Sequence, residues 1–339
     1  MRNSSMVLGL LVLMTLVGCQ QTSELQPSLL GPYLGQQPPG RTPAVFAPGF
    51  VSTGMGERDA AMTPDGTEFY FSRVLGGAFT FSAILVTRQV EGEWMTPEVA
   101  SFSGQYMDLE PTIAPDGKTF YFMSRRPLPG SSEPMSDENI WMMDRVDDGW
   151  GEPYPIGPPI NSDRAEFFAS VTTDGTIYFT RRGDDRTEKI FRSRLVDGEY
   201  QAAEELPAAV NAARTQFNAF IAPDESYLIV CNFGHSDSLG GVDYFVVFRD
   251  KQDRWSQAIA LEQGINHASG QEWSPYVSPD GRYFFFMSSR ASITDRYSPE
   301  RVTSDDLGRM HNEAMNGNPD IWWVDASVVH DLRSGAAFD

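Results

Sequence analysis

The sequence predicts an all-β fold, a five-bladed β-propeller built from one repeated unit. Two observations predict it: a turn centred on aspartate recurs five times along the 339 residues, and an aromatic or aliphatic strand follows every turn. A repeat of this kind whose period lies between 50 and 58 residues is typical of a propeller, because such sheets bury their faces by packing against copies of themselves. The turn aspartates are Asp65, Asp116, Asp174, Asp224 and Asp280.

Each repeat begins with a tight turn, whose fullest form is Ser278-Pro279-Asp280-Gly281. Proline presets φ for a turn and glycine accepts positive φ, so the motif indicates a reversal between two strands. The fourth copy departs from it, with Glu225 in the glycine position. The strand that follows is rich in aromatic residues, as in Phe69-Tyr70-Phe71, and a third strand follows it in every copy.

Four copies of the repeat continue through a further turn into a fourth strand, but the fifth copy does not. Residues 43–51 precede the first turn just as residues 153–160 precede the third. We therefore expect this N-terminal strand to complete the fifth blade and close a propeller spanning 43–339. A six-bladed ring is the alternative, and it would need a further copy of the repeat.

The first 42 residues are of a different kind. Arg2 precedes an apolar run at 6–17, which is too short to span a bilayer and predicts an export signal over 1–19. The run ends in Leu16-Val17-Gly18-Cys19, which resembles the lipobox of bacterial lipoproteins. This resemblance implies lipidation of Cys19 and, with Gln20 after it, attachment to the outer membrane. Residues 20–42, rich in Gln, Pro, Gly and Ser, predict a flexible tether.

Charge and cysteine content exclude several classes of protein. The chain carries 26 Lys and Arg against 46 Asp and Glu, a net charge of −20, which argues against a nucleic-acid partner. It also disfavours adhesion to anionic lipid through charge, so the N-terminal lipid is the expected membrane contact. Cys19 and Cys231 are the two cysteines, too few for a disulfide scaffold. We expect a monomer.

A repeated ion pair is predicted within the blades. In four copies an acidic residue stands eight positions before the turn aspartate, and an arginine follows the turn at a similar distance. Such residues face each other in an antiparallel hairpin, so we expect structural carboxylate–guanidinium pairs. The expected pairs are Glu57–Arg73, Asp108–Arg125, Glu166–Arg181 and Glu272–Arg290. The fourth copy has Gln216 and Asn232 at these positions.

A functional site is expected where this symmetry breaks. Asp59 and Glu110, six positions before their turns, are extra carboxylates without a repeated arginine. With Gln216, Asn218 and Asn232 of the fourth copy they predict an acidic, amide-lined channel mouth that suits a cation, a sugar or a basic peptide group. Beyond such a cation we expect no metal or cofactor. The alternative is that Asp59 and Glu110 are solvated charges at the rim.

The repeat also resembles a known family. Ser-Pro-Asp-Gly, an aromatic strand and then Ser-Arg, as at Ser289-Arg290, is similar to the WD40-like β-propeller repeats of the TolB type. The resemblance covers about 43–325 and implies protein or glycan contacts in the cell envelope. We therefore favour a non-catalytic binding or scaffold module.

Two other functions remain open. One is a glycosidase-like hydrolase with Asp59 and Glu110 as its carboxylates, and the other is a purely architectural lipoprotein. No nucleophile elbow, zinc-protease or phosphate-loop motif is present. Insertions at 126–138 and 291–319 decorate one face, either as binding loops or as tolerated surface loops.

Overall fold

The computed structural model describes residues 29–76, 80–147, 149–262, 264–292 and 301–338. The predicted signal, Cys19 and the first part of the predicted tether lie outside these residues. The regular secondary structure of the described residues is almost entirely strand, arranged as five blades around a central channel, which confirms the predicted five-bladed propeller.

The strands follow the repeat in order. Two short strands precede the first blade: β1 (Leu29–Leu30) and β2 (Ala44–Val45). Blade one contains β3 (Gly56–Met62), β4 (Glu68–Leu75), β5 (Phe81–Val90), β6 (Glu93–Trp94) and β7 (Glu98–Val99). Blade two contains β8 (Asp108–Ile113), β9 (Thr119–Ser124), β10 (Asn139–Val146), β11 (Gly149–Trp150) and β12 (Tyr154–Pro155).

The remaining blades repeat this plan with small additions. Blade three contains β13 (Glu166–Val171), β14 (Ile177–Arg182), β15 (Glu188–Ser193), β16 (Leu195–Val196), β17 (Glu199–Tyr200) and β18 (Glu204–Glu205). Blade four contains β19 (Thr215–Ile221), β20 (Tyr227–Phe233), β21 (Val242–Phe248) and β22 (Ile259–Ala260). Blade five contains β23 (Glu272–Val277), β24 (Tyr283–Ser288), α1 (Ser304–Asn312) and β25 (Asp320–Asp325), followed by α2 (Ser327–His330).

The first strand of every blade is the innermost one. Strands β3, β8, β13, β19 and β23 each pack against the first strands of the two neighbouring blades, and β23 packs against β3 to close the ring. Large apolar side chains fill the spaces between blades, as where the rings of Tyr70 and Phe120 lie 5.0 Å apart. Burial of these aromatic faces is what holds neighbouring sheets together.

The N-terminal strand closes the ring as predicted. In blade five, β2 pairs antiparallel with β25, with Ala44 opposite Trp323 and Val45 opposite Trp322. Phe46 continues the contact, since its backbone N–H donates to the carbonyl oxygen of Ile321 at 2.8 Å and its ring is fully buried. The strand that precedes the first blade and the last strand of the fifth blade thus share one sheet.

The turns owe their regularity to the aspartate as well as to glycine. In all five turns an Oδ1 atom of the turn aspartate accepts the backbone N–H two residues later, at 3.0 to 3.1 Å, which is an Asx turn. Glu225, in the glycine position of the fourth turn, still adopts a left-handed φ of 58°. The aspartate therefore fixes the turn even where glycine is missing.

Part of the predicted tether contacts the ring. Strand β1 pairs with β6, and the Trp94 indole donates to the carbonyl oxygen of Gly31 at 2.7 Å. Leu34 is fully buried in the core beside blade one. Residues 29–42 are therefore docked on the propeller, because they carry Leu34 and Tyr33 into an apolar cluster. None of the helices in the described part of the chain is long and apolar enough to cross a bilayer.

Candidate functional site

The channel is lined by a strained residue in every blade. All five innermost strands carry a register shift at the same point, seven to four residues before the turn aspartate. Within each shift, the residue six before the aspartate has a positive φ, between 49° and 61°. Bulges of this kind re-aim a side chain, and non-glycine residues hold such a conformation only where their surroundings enforce it. These five residues, the bulge ring, are Asp59, Glu110, Phe168, Asn218 and Ser274.

Arg58 joins the two acidic members of the bulge ring. Its Nε lies 2.7 Å from Asp59 Oδ1 and its Nη2 lies 3.0 Å from Glu110 Oε1, and all three side chains are buried. We call this group the Arg58 cluster. Sequence alternation predicts a core position for Arg58, since the equivalent residues of the other copies are Leu109, Phe167, Phe217 and Trp273. Arg58 is the one charged residue in that series, and this departure is the sequence signal that could have indicated its role.

Every carboxylate oxygen of the Arg58 cluster has a partner. Asp59 Oδ1 also accepts from the Ser274 hydroxyl, and Asp59 Oδ2 accepts the Glu110 backbone N–H at 3.2 Å. Glu110 Oε2 accepts the Phe168 backbone N–H at 2.8 Å. The two acids therefore tie the innermost strands of blades five, one, two and three together, rather than lying as solvated charges at the rim.

Burial sets the electrostatics of the cluster. It raises the pKa of Glu110 to about 8; the Arg58 charge opposes this rise and the Asp59 charge adds to it. Burial alone would lower the pKa of Arg58, but the charges of Asp59 and Glu110 outweigh it and raise that pKa. Arg58 consequently stays charged and holds both carboxyl groups. Both candidate carboxyl groups are thus engaged by Arg58 and by hydroxyl or backbone donors.

Two cavities flank the cluster. The one on the turn face, which we call the turn-side vestibule, has a volume of about 200 Å³ and reaches down to Asp59 and Ser274. The one on the opposite face, about 230 Å³, is bounded by Arg58, Glu110 and charged side chains of blades two and three. The rim of the turn-side vestibule carries prolines from four of the repeated turns: Pro64, Pro115, Pro223 and Pro279.

The repeated acids lie in one equivalent row of the inner strands, and two of them form an ion pair with the arginine directly opposite. Arg73 Nε lies 2.8 Å from Glu57 Oε1, and Arg181 Nε lies 2.7 Å from Glu166 Oε1. Blade two needs a correction: Asp108 is bonded by Arg126 at 3.0 Å, not by Arg125, whose partner is Glu138.

The strand register of blade two explains why Asp108 contacts Arg126 instead of Arg125. The residue directly opposite Asp108 is Ser124, and the arginine on the same face of the strand is therefore two positions further on. Blade five repeats this arrangement with Ser288 opposite Glu272, but Arg290 Nη2 stays 3.9 Å from Glu272. Burial raises the pKa of Glu272 to about 8, the nearby Arg290 charge lowers it, and the Asp243 charge in blade four raises it further.

The three amide side chains predicted for the site in blade four lie in two different places. Asn218 belongs to the bulge ring, whereas Gln216 and Asn232 face each other across β19 and β20 in the buried interior of the blade. They do not join Asp59 and Glu110 in one mouth, because Gln216 lies two residues before Asn218, ahead of the bulge, and Asn232 lies opposite Gln216 on β20. Gln216 Oε1 accepts from Lys189 of blade three at 3.2 Å. Cys231 is a buried core thiol.

Comparisons with known proteins concern the fold. No family model and no curated protein matches the chain. A putative TolB from Agrobacterium tumefaciens is similar at 14% identity and a TM-score of 0.47, over 80% of this chain and 90% of the other. TolB from Acinetobacter baumannii has 17% identity and a TM-score of 0.43, over 80% and 57%. The catalytic domain of a Coprinopsis cinerea GH62 α-L-arabinofuranosidase has 9% identity and a TM-score of 0.47, over 85% and 97%. At these identities the chain is similar to other propellers in fold alone.

Proposed function

We propose that the protein is a lipid-anchored, non-catalytic binding module of the bacterial cell envelope, and that it receives its partner at the turn-side vestibule. The observation that carries this proposal is the Arg58 cluster. It occupies both channel carboxylates with hydrogen bonds and ion pairs, and it leaves an open vestibule with apolar walls above it.

The size and rigidity of the vestibule favour a macromolecular partner. Its volume of about 200 Å³ is below the ~300–1,000 Å³ of pockets that enclose a whole small ligand, so it admits part of a larger molecule. The five Asx turns hold the rim in place, which lowers the entropic cost of binding. Phe220, Tyr276 and the rim prolines suit an apolar side chain of a protein or one face of a sugar.

A charge at the rim should weaken binding. In Pro223→Glu, a carboxylate would enter the apolar wall without a partner, and the third turn shows that the position tolerates another residue, since Thr173 stands there. We expect the variant to lose about tenfold or more in affinity for envelope proteins or glycans captured by the full-length protein, the effect of losing ~1.4 kcal/mol of binding free energy.

The matched control is Pro129→Glu, the same change in the exposed 126–138 insertion at the other face. It should bind as the unmodified protein does. Equal capture by Pro223→Glu and the unmodified protein would contradict the vestibule assignment. Asp59 and Glu110 are poor probes of binding, because changing them also removes bonds between blades.

Anchoring is tested separately at Cys19. If lipid on this residue holds the protein to the membrane, Cys19→Ser should move it from the membrane fraction to the aqueous fraction, since each buried lipid CH₂ contributes ~0.8 kcal/mol. Cys231→Ser, a change to the buried core cysteine, should leave the membrane fraction unchanged. Retention of Cys19→Ser at the membrane would refute the anchor.

A further inference from the structure

One row of polar residues in blade four differs from its counterparts. In the hairpins of the other four blades, the innermost strand carries the acid and the second strand faces it with arginine or serine. In blade four the innermost and second strands carry Gln216 and Asn232, and the acid is Asp243 on the third strand, opposite Asn232. The acid of blade four thus stands on the third strand, a position that carries Asp320 in blade five in addition to Glu272 on the innermost strand. Asp243 lies at the junction with blade five, because β21 packs against β23.

This row is buried and incompletely bonded. Asp243 Oδ2 accepts the backbone N–H groups of Leu239 and Gly240 at 2.7 and 3.0 Å, but Asp243 Oδ1 has no hydrogen-bond partner within the described residues. Asn232 is fully buried, and neither its Oδ1 nor its Nδ2 is bonded within the same residues. The buried hydroxyl of Ser238, in the loop leading to Asp243, is likewise without a partner there.

Glu272 faces this row from blade five. Its Oε1 accepts from Ser288 at 2.8 Å, whereas its Oε2 is buried with no partner among the described residues. The equivalent Glu166 of blade three differs, since both of its oxygens are bonded: Ser162 donates to them through its backbone N–H and hydroxyl, and Arg181 donates as well. Asp243 is near enough to Glu272 to act on it electrostatically.

The loops above the row are in close contact. A Cβ at Gly240 would lie 2.8 Å from the carbonyl oxygen of His267, and a Cβ at Gly270 would lie 2.5 Å from Glu272 Oε1. Only glycine allows this approach, so the loop of blade four is pressed onto the loop that precedes Glu272. Gly240, which donates to Asp243, and Gly270, which lies against Glu272, thus bring the surroundings of the two carboxylates together.

We propose that this junction binds one Ca²⁺ ion, held by Asp243 Oδ1 and Glu272 Oε2 together with neutral oxygens of Asn232 and Ser238. Buried carboxylate oxygens without donors are costly unless a cation or another group compensates their charge. Carboxylate, amide and hydroxyl oxygens without nitrogen or sulfur are ligands that Ca²⁺ accepts in flexible geometry.

The charge of the site indicates weak binding, and its coordination geometry favours Ca²⁺ over Mg²⁺. Arg290, 3.9 Å from Glu272, offsets part of the charge of the two carboxylates. The affinity should therefore lie in the range of extracellular modules, with Kd of ~10⁻⁴–10⁻³ M. Mg²⁺ requires a tighter octahedral shell and should bind less well. Within the described residues no three His, Cys, Asp or Glu side chains group so as to hold a metal ion, so this site depends on two carboxylates supplemented by neutral oxygens. This inference is independent of the turn-side vestibule.

The test compares unfolding and calorimetric titration of the full-length protein with CaCl₂, MgCl₂ or a chelator. At about 10 mM Ca²⁺ we expect the ratio of folded to unfolded protein to rise about 10- to 100-fold, with one binding event per chain and a smaller effect of Mg²⁺. The isosteric Asp243→Asn variant should lose both the shift and the heat of binding. Glu166→Gln, which alters the equivalent acid of blade three, should be less stable but keep the full Ca²⁺ response.

Two results would overturn the proposal. One is an absence of any Ca²⁺ effect on the unmodified protein, which would mean that water alone occupies the junction. The other is a Ca²⁺ response that is unchanged in Asp243→Asn, which would place the ion elsewhere. Neither result would bear on partner capture by the Pro223→Glu variant.

Discussion

Replacing Arg58 with methionine should lower the free energy of unfolding by about 3–5 kcal/mol, the cost of leaving buried charges without their partner. Arg58 is the cation bonded to both Asp59 and Glu110, and all three side chains are buried. Methionine keeps much of the side-chain volume, so the loss reports on charge more than on packing. Chemical denaturation of Arg58→Met and the unmodified protein measures it.

The loss of stability in Arg58→Met should also depend on pH. Burial raises the pKa of Glu110 to about 8 even with Arg58 in place, and removal of the arginine raises it further. A carboxyl group that holds its proton has no charge to be compensated, so the loss should be greatest in alkaline solution and shrink as the pH falls through this pKa.

Neutralising the whole cluster provides the control. In Arg58→Met/Asp59→Asn/Glu110→Gln no buried charge remains, and most of the lost stability should return. Arg125→Met, which removes a more exposed arginine, should cost about 1 kcal/mol or less. A loss below about 1 kcal/mol in Arg58→Met would show that the cluster is not what ties the inner strands together.

Removal of the ring-closing strand should have a comparable or larger effect. The Phe46 ring packs at 5.0 Å from those of Phe69 and Phe285 and at 5.3 Å from that of Trp323, so it joins the N-terminal segment to blades one and five. Phe46→Ala should lower the free energy of unfolding by about 3–5 kcal/mol, the range for large aromatic residues truncated in a core. Deletion of residues 43–51 should abolish cooperative unfolding.

A control comes from the outer strand of another blade. Val99 lies on the outer strand β7 of blade one but is half exposed, so Val99→Ala should change stability by ~0.5 kcal/mol or less. Thermal and denaturant unfolding, followed by tryptophan fluorescence and circular dichroism, measure these changes. A 43–51 deletion that unfolds like the unmodified protein would show that the ring closes without its N-terminal strand.

The fold could be predicted from the sequence because several independent features of the repeat indicate the same architecture. Turn chemistry, strand composition and the missing fourth strand of the last copy all indicate one closed ring. The predicted acids at Glu57, Asp108, Glu166 and Glu272 also occupy one equivalent row, since register before the bulge follows the strand period of two.

The site was less predictable because the bulge interrupts that period. One extra residue per inner strand changes which side chains enter the channel, and neither composition nor alternation marks its position. Alternation predicts the buried position of Arg58 but not its contacts with Asp59 and Glu110, and only the structure separates Asn218 from Gln216. The docking of residues 29–42 depends on three apolar side chains, Leu29, Tyr33 and Leu34, within a segment that is otherwise rich in Gln, Pro and Gly.

The shared sheet of blade five also bears on the order in which the molecule is made. Ala44 and Trp323 pair although almost the entire chain lies between them, and contacts of such long sequence separation form slowly because a large loop must close first. During synthesis the N-terminal strand leaves the ribosome long before its partner exists. Blade five can be completed only after the last strand has emerged, so the nascent chain depends on late ring closure to protect its open edges from aggregation.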